Sequence, residues 1–142
     1  MVSSRVVIRG DTYSIRRPLY RITLLDDGGA PFDLSGSTVR STFKPAPDNP
    51  ADDPTDATAP IRHTLVVAAN GTATTQAGLY LVGAAANGTI EQRLSATESA
   101  ALPLGVKLVS DIELTDANGE VVTWLFTETL ETREGITNRV TG

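Results

Sequence analysis

His63 is the only histidine in the chain, and there is no cysteine. Without thiols there are no disulfides, no thiolate zinc ligands and no cysteine nucleophile. One histidine, with no GxSxG, HExxH, Walker or GxGxxG segment, has no nucleophile to activate and no second imidazole with which to share a metal. His63 lies in the extended run from Ile61 to Ala68 and reads as an ordinary strand residue. Carboxylates are the remaining reagents. Asp48, Asp52, Asp53 and Asp56 crowd together, but they lack the ligand spacing and central glycine of an EF-hand loop. A hydrolase built on two carboxylates is the one enzymatic class the composition leaves open, because their separation in space is not legible in sequence. The acids fall mainly in turns and on the solvent faces of strands, so we expect no enzymatic activity, no cofactor and no metal. The tripeptide Arg9-Gly10-Asp11 matches an adhesion motif but sits where a strand needs a turn. Trp124 could stack on a sugar. In a strong strand with Val122 and Phe126 on its face, it reads instead as a core anchor.

The elements that position these residues are strands. From Leu104 to Phe126, Val106, Leu108, Ser110, Ile112 and Leu114 alternate with Lys107, Val109, Asp111 and Glu113, which is the period of a half-buried strand. Asp116-Ala117-Asn118-Gly119 interrupts the run, and Val121 to Phe126 resumes it, which predicts a β-hairpin. Just upstream, Ser95 and Glu98 form a capping-box pattern, and Pro103 with Gly105 ends the turn of helix it starts. Leu19 to Leu25 reads as a strand with Tyr20, Ile22 and Leu24 on its core face. Val39, Ser41 and Phe43 mark another, and together these predict an N-terminal hairpin across residues 19 to 44. Shorter strands are expected at Thr72 to Gln76, Leu79 to Val82 and Thr89 to Leu94, set off by Asn70-Gly71 and Asn87-Gly88. The last segment, Thr127 to Val140, is a polar strand with one long apolar residue, Leu130. That composition suits an edge that something else covers.

Lys44 to Pro60 has five prolines, four aspartates and no apolar residue larger than alanine. It cannot bury enough surface to offset its ordering entropy, and we expect a long exposed loop at residues 44–60. Loops of this length in a small domain are often functional. The 142 residues suit one domain, spanning 1–142. No apolar run approaches the ~20 residues that cross a bilayer, and no signal region opens the chain, so we expect a protein made without Sec export. The net charge of −5 argues against a nucleic-acid partner. Residues 1–44 hold seven of the twelve Lys and Arg against four acids, whereas residues 45–142 hold five against thirteen. If strands from the two halves interleave, this asymmetry averages out. If they do not, it gives a two-signed surface suited to stacking against copies.

The order of the motifs adds a resemblance. Ile8-Arg9-Gly10-Asp11-Thr12, then Asp27-Gly28-Gly29-Ala30-Pro31-Phe32-Asp33-Leu34-Ser35-Gly36-Ser37-Thr38-Val39, resembles the opening of small tailed-phage virion proteins, including the N-terminal domain of phage upper baseplate proteins. Leu94 to Gly105, then Ser110 to Leu114 and Asp116 to Val121, is similar to that family's ending. The resemblance covers most of the chain apart from Lys44 to Pro60. Upper baseplate proteins continue into a long stalk whereas this sequence ends at Gly142, so we do not expect it to anchor a stalk within the same chain. It implies an all-β fold: an immunoglobulin-like antiparallel β-sandwich with one short helical turn near residues 96–102. It also implies a non-enzymatic structural component of the virion, in the tail, baseplate or head–tail region. The expected partners are other virion proteins and copies of itself, not nucleic acid or membrane. The contacts would run through strand edges, loop 44–60 and the termini, with Asp48, Asp52, Asp53, Asp56, Glu128, Glu131 and Arg133 as partner-binding residues. A capsid decoration protein is the nearest alternative. A receptor- or carbohydrate-binding module, with a host receptor or glycan as partner, is the alternative from a different class.

Overall fold

Two turns of the same design organise the strands. In Asp26 to Ala30 and in Asp116 to Glu120 the first residue's amide bonds the fifth residue's carbonyl, and the aspartate Oδ1 accepts two further amides at 2.8–2.9 Å. The fourth residue is Gly29 or Gly119, at φ 82° or 83°, where a side chain would be strained. Asn118 itself does not take a positive φ. Its amide is spent on Asp116 instead.

The computed structural model describes residues 3–45, 60–104, 107–125 and 128–134. Its strands are β1 (Ser3–Ile8), β2 (Tyr20–Thr23), β3 (Thr38–Pro45), β4 (Ile61–Val67), β5 (Ala73–Gln76), β6 (Leu79–Leu81), β7 (Thr89–Gln92), β8 (Lys107–Thr115), β9 (Val121–Leu125) and β10 (Glu128–Arg133). Besides a 3-10 turn at Ala85–Asn87, a short α-helix, α1 (Ala96–Ala100), carries both reciprocal bonds of the Ser95–Glu98 capping box. The fold is all-β. A seven-stranded sheet runs β1-β10-β8-β3-β4-β5 with β9 also on β8, and a three-stranded sheet runs β2-β7-β6. The β8–β9 hairpin forms as its alternation predicts, with Leu108, Ile112 and Leu114 buried.

Both sheets feed one core. Val39, Phe43, Ile61, Leu65, Leu108 and Ile112 enter it from the larger sheet, and Tyr20, Leu79 and Ile90 from the smaller. Leu19, Leu24, Leu34, Leu94 and Leu102 fill it from the connections. Fully burying a side chain of this size contributes about 1.5–3 kcal/mol.

Four expectations are corrected. Residues 19–44 do not form a hairpin: β2 pairs with β7, from Tyr20 opposite Gln92 to Thr23 opposite Thr89, while β3 pairs with β4 and β8. The connector explains this, because its Asp26–Ala30 turn closes on itself through a Leu25–Pro31 bridge and leaves β2 and β3 to join different sheets. The last strand is not an edge, since β1 covers it from Ser3 opposite Glu128 to Ile8 opposite Arg133. That ladder is parallel, so the antiparallel expectation holds for every other ladder described but not for this one. The expected loop also starts late: Lys44 and Pro45 still pair with Val109 and Leu108. Residues 46–59 of it lie outside the described residues.

Candidate functional site

β7 carries two fully buried polar side chains on opposite sides of one strand. Gln92 faces the core and Glu91 faces outward, and neither side chain is exposed.

On the core side a chain of hydrogen bonds crosses between the sheets. Gln92 Nε2 lies 2.9 Å from His63 Nδ1, and His63 Nε2 lies 2.7 Å from Glu98 Oε2. On its other end Gln92 Oε1 accepts from Ser41 Oγ at 2.7 Å, and Ser41 Oγ is 2.8 Å from the Tyr20 hydroxyl. A carboxylate only accepts, so His63 Nε2 carries the proton and, in a neutral ring, Nδ1 accepts from the Gln92 amide. The direction then propagates: Ser41 donates to Gln92, and Tyr20 donates to Ser41. Burial pushes the Tyr20 phenol far above its ordinary range, with the Ser41 bond offsetting only part of this, so it remains a donor. Burial also acts to raise the Glu98 carboxyl, but bonds from Ser95 and His63 outweigh it and hold Glu98 below the usual carboxylate range. His63 is thus a pinned core residue. Its phase with Ile61, Leu65 and Val67 is the sequence signal that placed it inward.

On the outer side Glu91 is enclosed by two guanidinium groups. Arg21 Nε and Nη2 donate to Glu91 Oε1 at 2.9 and 2.5 Å, and Arg93 Nε donates to Oε2. Arg93 in turn lies over the Tyr80 ring, 3.8 Å from its centre. Burial acts to raise the Glu91 carboxyl, but Arg21 and Arg93 more than offset it and hold the group below its usual range. Such a carboxylate stays ionised at neutral pH and is closed to a substrate. Sequence reasoning placed acids in turns and on solvent faces, and Glu91 departs from that because its cover is made by side chains from β2, β6 and the residue after β7.

Arg9-Gly10-Asp11 is a structural clasp. Arg9 Nε and Nη2 donate to Ala100 O at the end of α1, at 3.1 and 2.7 Å, and Nη1 reaches Glu134 at 2.6 Å. Ser99 Oγ donates to Asp11 O at 2.7 Å, and Arg17 pairs with the Asp11 carboxylate at 3.0 Å. A cation on the last carbonyls of a helix also complements its dipole.

The outer face of the larger sheet holds a shallow concavity of about 530 Å³ lined by Arg40, Thr42, Arg62, His63, Thr64 and Gln76. Arg40 also lies 3.9 Å from Glu113, so both signs of charge meet on this face. Comparison with known protein families, curated proteins and solved structures finds no match for this chain. The site therefore has to be judged by its own geometry.

Of the sequence-derived partner residues, the structure describes only those of the last strand. Asp48, Asp52, Asp53 and Asp56 lie outside the described residues. Glu128 belongs to β10, and Glu131 pairs with Arg133 at 3.0 Å within that same strand. Trp124 is half-buried beside the core rather than inside it: its ring meets Phe32 edge-on at 5.3 Å, and its indole N–H donates to Leu25 O at 2.9 Å. Among the described residues no three His, Asp or Glu side chains gather as a metal-ligand group, and no helix is long and apolar enough to cross a membrane.

Proposed function

We propose that this chain is a non-enzymatic structural component of a tailed-phage virion, built as an immunoglobulin-like sandwich and assembled in symmetric copies with other virion proteins. The observation that carries this reading is where the resembling blocks meet. Residues 8–12 and 94–105 are far apart in sequence, yet Arg9 grips Ala100, Ser99 grips Asp11, and Tyr13 bridges to Leu94. The motifs thus specify a joint in a scaffold. The side chains with chemical potential point the same way, because His63 and Glu91 are spent on neighbouring residues. Two sheets feeding one core suit the sandwich form.

The carbohydrate-binding alternative needs exposed aromatic faces. Trp124 packs on Phe32, Tyr13 and Tyr20 are buried, and Arg93 covers a face of Tyr80, all of which favours the structural reading. The test is mass spectrometry and cryo-EM of particles made by the phage that encodes the chain. Density for a ring of copies at the tail or its tip supports the proposal. Absence from the particle, with a monodisperse monomer in solution, overturns it.

A further inference from the structure

The chain Tyr20–Ser41–Gln92–His63 has one member that can face either way. An amide carries a donor and an acceptor at nearly equal reach, and Gln92 uses both, donating to His63 Nδ1 and accepting from Ser41. With the ring neutral, the Glu98 carboxylate sets the direction of every bond. A proton arriving at Nδ1 would confront the Gln92 amide donor. The ring is not placed to turn away, since its Nε2 is held by Glu98 and its Nδ1–Cε1 edge lies against Gly78. A Cβ at Gly78 would sit 2.7 Å from Cε1 and 3.0 Å from Nδ1. Gln92 can instead rotate by half a turn.

We propose that protonation of His63 reverses this hydrogen-bond chain, with Gln92 as the pivot, so that the bonded contact between the two sheets survives with opposite polarity. In the protonated state Nδ1–H donates to Gln92 Oε1, Gln92 Nε2 donates to Ser41 Oγ, and Ser41 donates to the Tyr20 oxygen. The Tyr20 proton turns away from Ser41. Nε2–H stays on Glu98, now as an ion pair. The groups facing His63 are Glu98 from α1, Gln92 from β7 and the backbone of Gly78, with Arg40 and Arg62 on the concavity that His63 also lines. Only Glu98 offers it a negative charge among these. The device links β2, β3, β4, β7 and α1, and it stands independently of any role in a virion.

A single histidine makes the experiment direct, because its ring nitrogens give one set of NMR signals. At high pH, long-range nitrogen–proton spectra should show the proton on Nε2. As pH falls and Nδ1 gains its proton, the Gln92 side-chain amide protons should lose their proximity to the His63 ring and gain proximity to Ser41, with the same midpoint. The sign of one variant then decides. If Gln92 rotates, it supplies an acceptor to the imidazolium, so Gln92→Leu should lower the His63 midpoint, by about half a unit or more, or roughly threefold in proton affinity. If Gln92 stays fixed, its amide opposes the proton and Gln92→Leu should raise the midpoint. A raised or unchanged midpoint, a proton on Nδ1 in the neutral ring, or a ring that stays neutral until the protein unfolds overturns the proposal. Should Gln92→Leu fail to fold, the amide proximities in the unaltered protein decide alone.

Discussion

Glu91 and Gln92 are adjacent, equally hidden from solvent and opposite in kind. Glu91 is a charge whose cover is only one side chain deep, and its partners Arg21 and Arg93 keep contact with water. Gln92 is neutral and lies between two sheets, where it accepts the Ser41 hydroxyl proton and meets His63 Nδ1, out of reach of water. The difference teaches that zero exposure has two meanings. Removing the outer group releases two cations that can hydrate, whereas removing the inner one strands groups that cannot.

Substitutions break this comparison in a definite order. Gly78→Ala should cost most, about 4 kcal/mol by urea unfolding, because the new Cβ would lie 2.1 Å from Arg93 O, a backbone atom with no rotamer to yield. Gln92→Leu should follow at about 3 kcal/mol, from Ser41 and His63 losing buried partners together. For Glu91→Gln we expect about 2 kcal/mol, less than for a deeply buried pair, since Arg21 is half exposed. This third variant also sharpens the contrast through pH. The Glu91 carboxyl is held below its ordinary 4.5, so its stabilisation is full at neutral pH and is lost as pH falls through the folded value. Stability of Glu91→Gln should therefore fall less between pH 5 and pH 3, about the range where carboxylates titrate, than that of the unaltered protein or of Gln92→Leu. Smallest is Tyr20→Phe, at about 1 kcal/mol, because it removes the terminal donor and leaves the rest of the chain bonded. A larger loss in Glu91→Gln than in Gln92→Leu would reverse the comparison.

The same contrast explains what was legible in the sequence. The β8–β9 hairpin and the Ser95 cap follow from residues a few positions apart, and each formed where its pattern lies. The core phase of Val39, Ser41 and Phe43 could be read as well, and so could that of Ile61, His63 and Leu65. What that polar Ser41 and His63 meet inside could not, because their partner Gln92 arrives from the other sheet. The pairing of β2 was misread for a related reason: nearness in sequence favours β3, yet the self-closing Asp26 turn detaches the two. The parallel β1–β10 ladder carries no local signal at all. Of the candidate site, only the inward phase of His63 was available, and the Glu91 cluster required side chains from three separate segments.

That parallel ladder also sets a schedule for synthesis. Among the described strands β1 leaves the ribosome before the others and β10 after them, so β1 must wait without its sheet partner until β10 has been made. The β8–β9 hairpin and the capped helix need no such wait, because each is built from residues close together in sequence, whereas the margin of the sheet at β1 can close only once β10 exists.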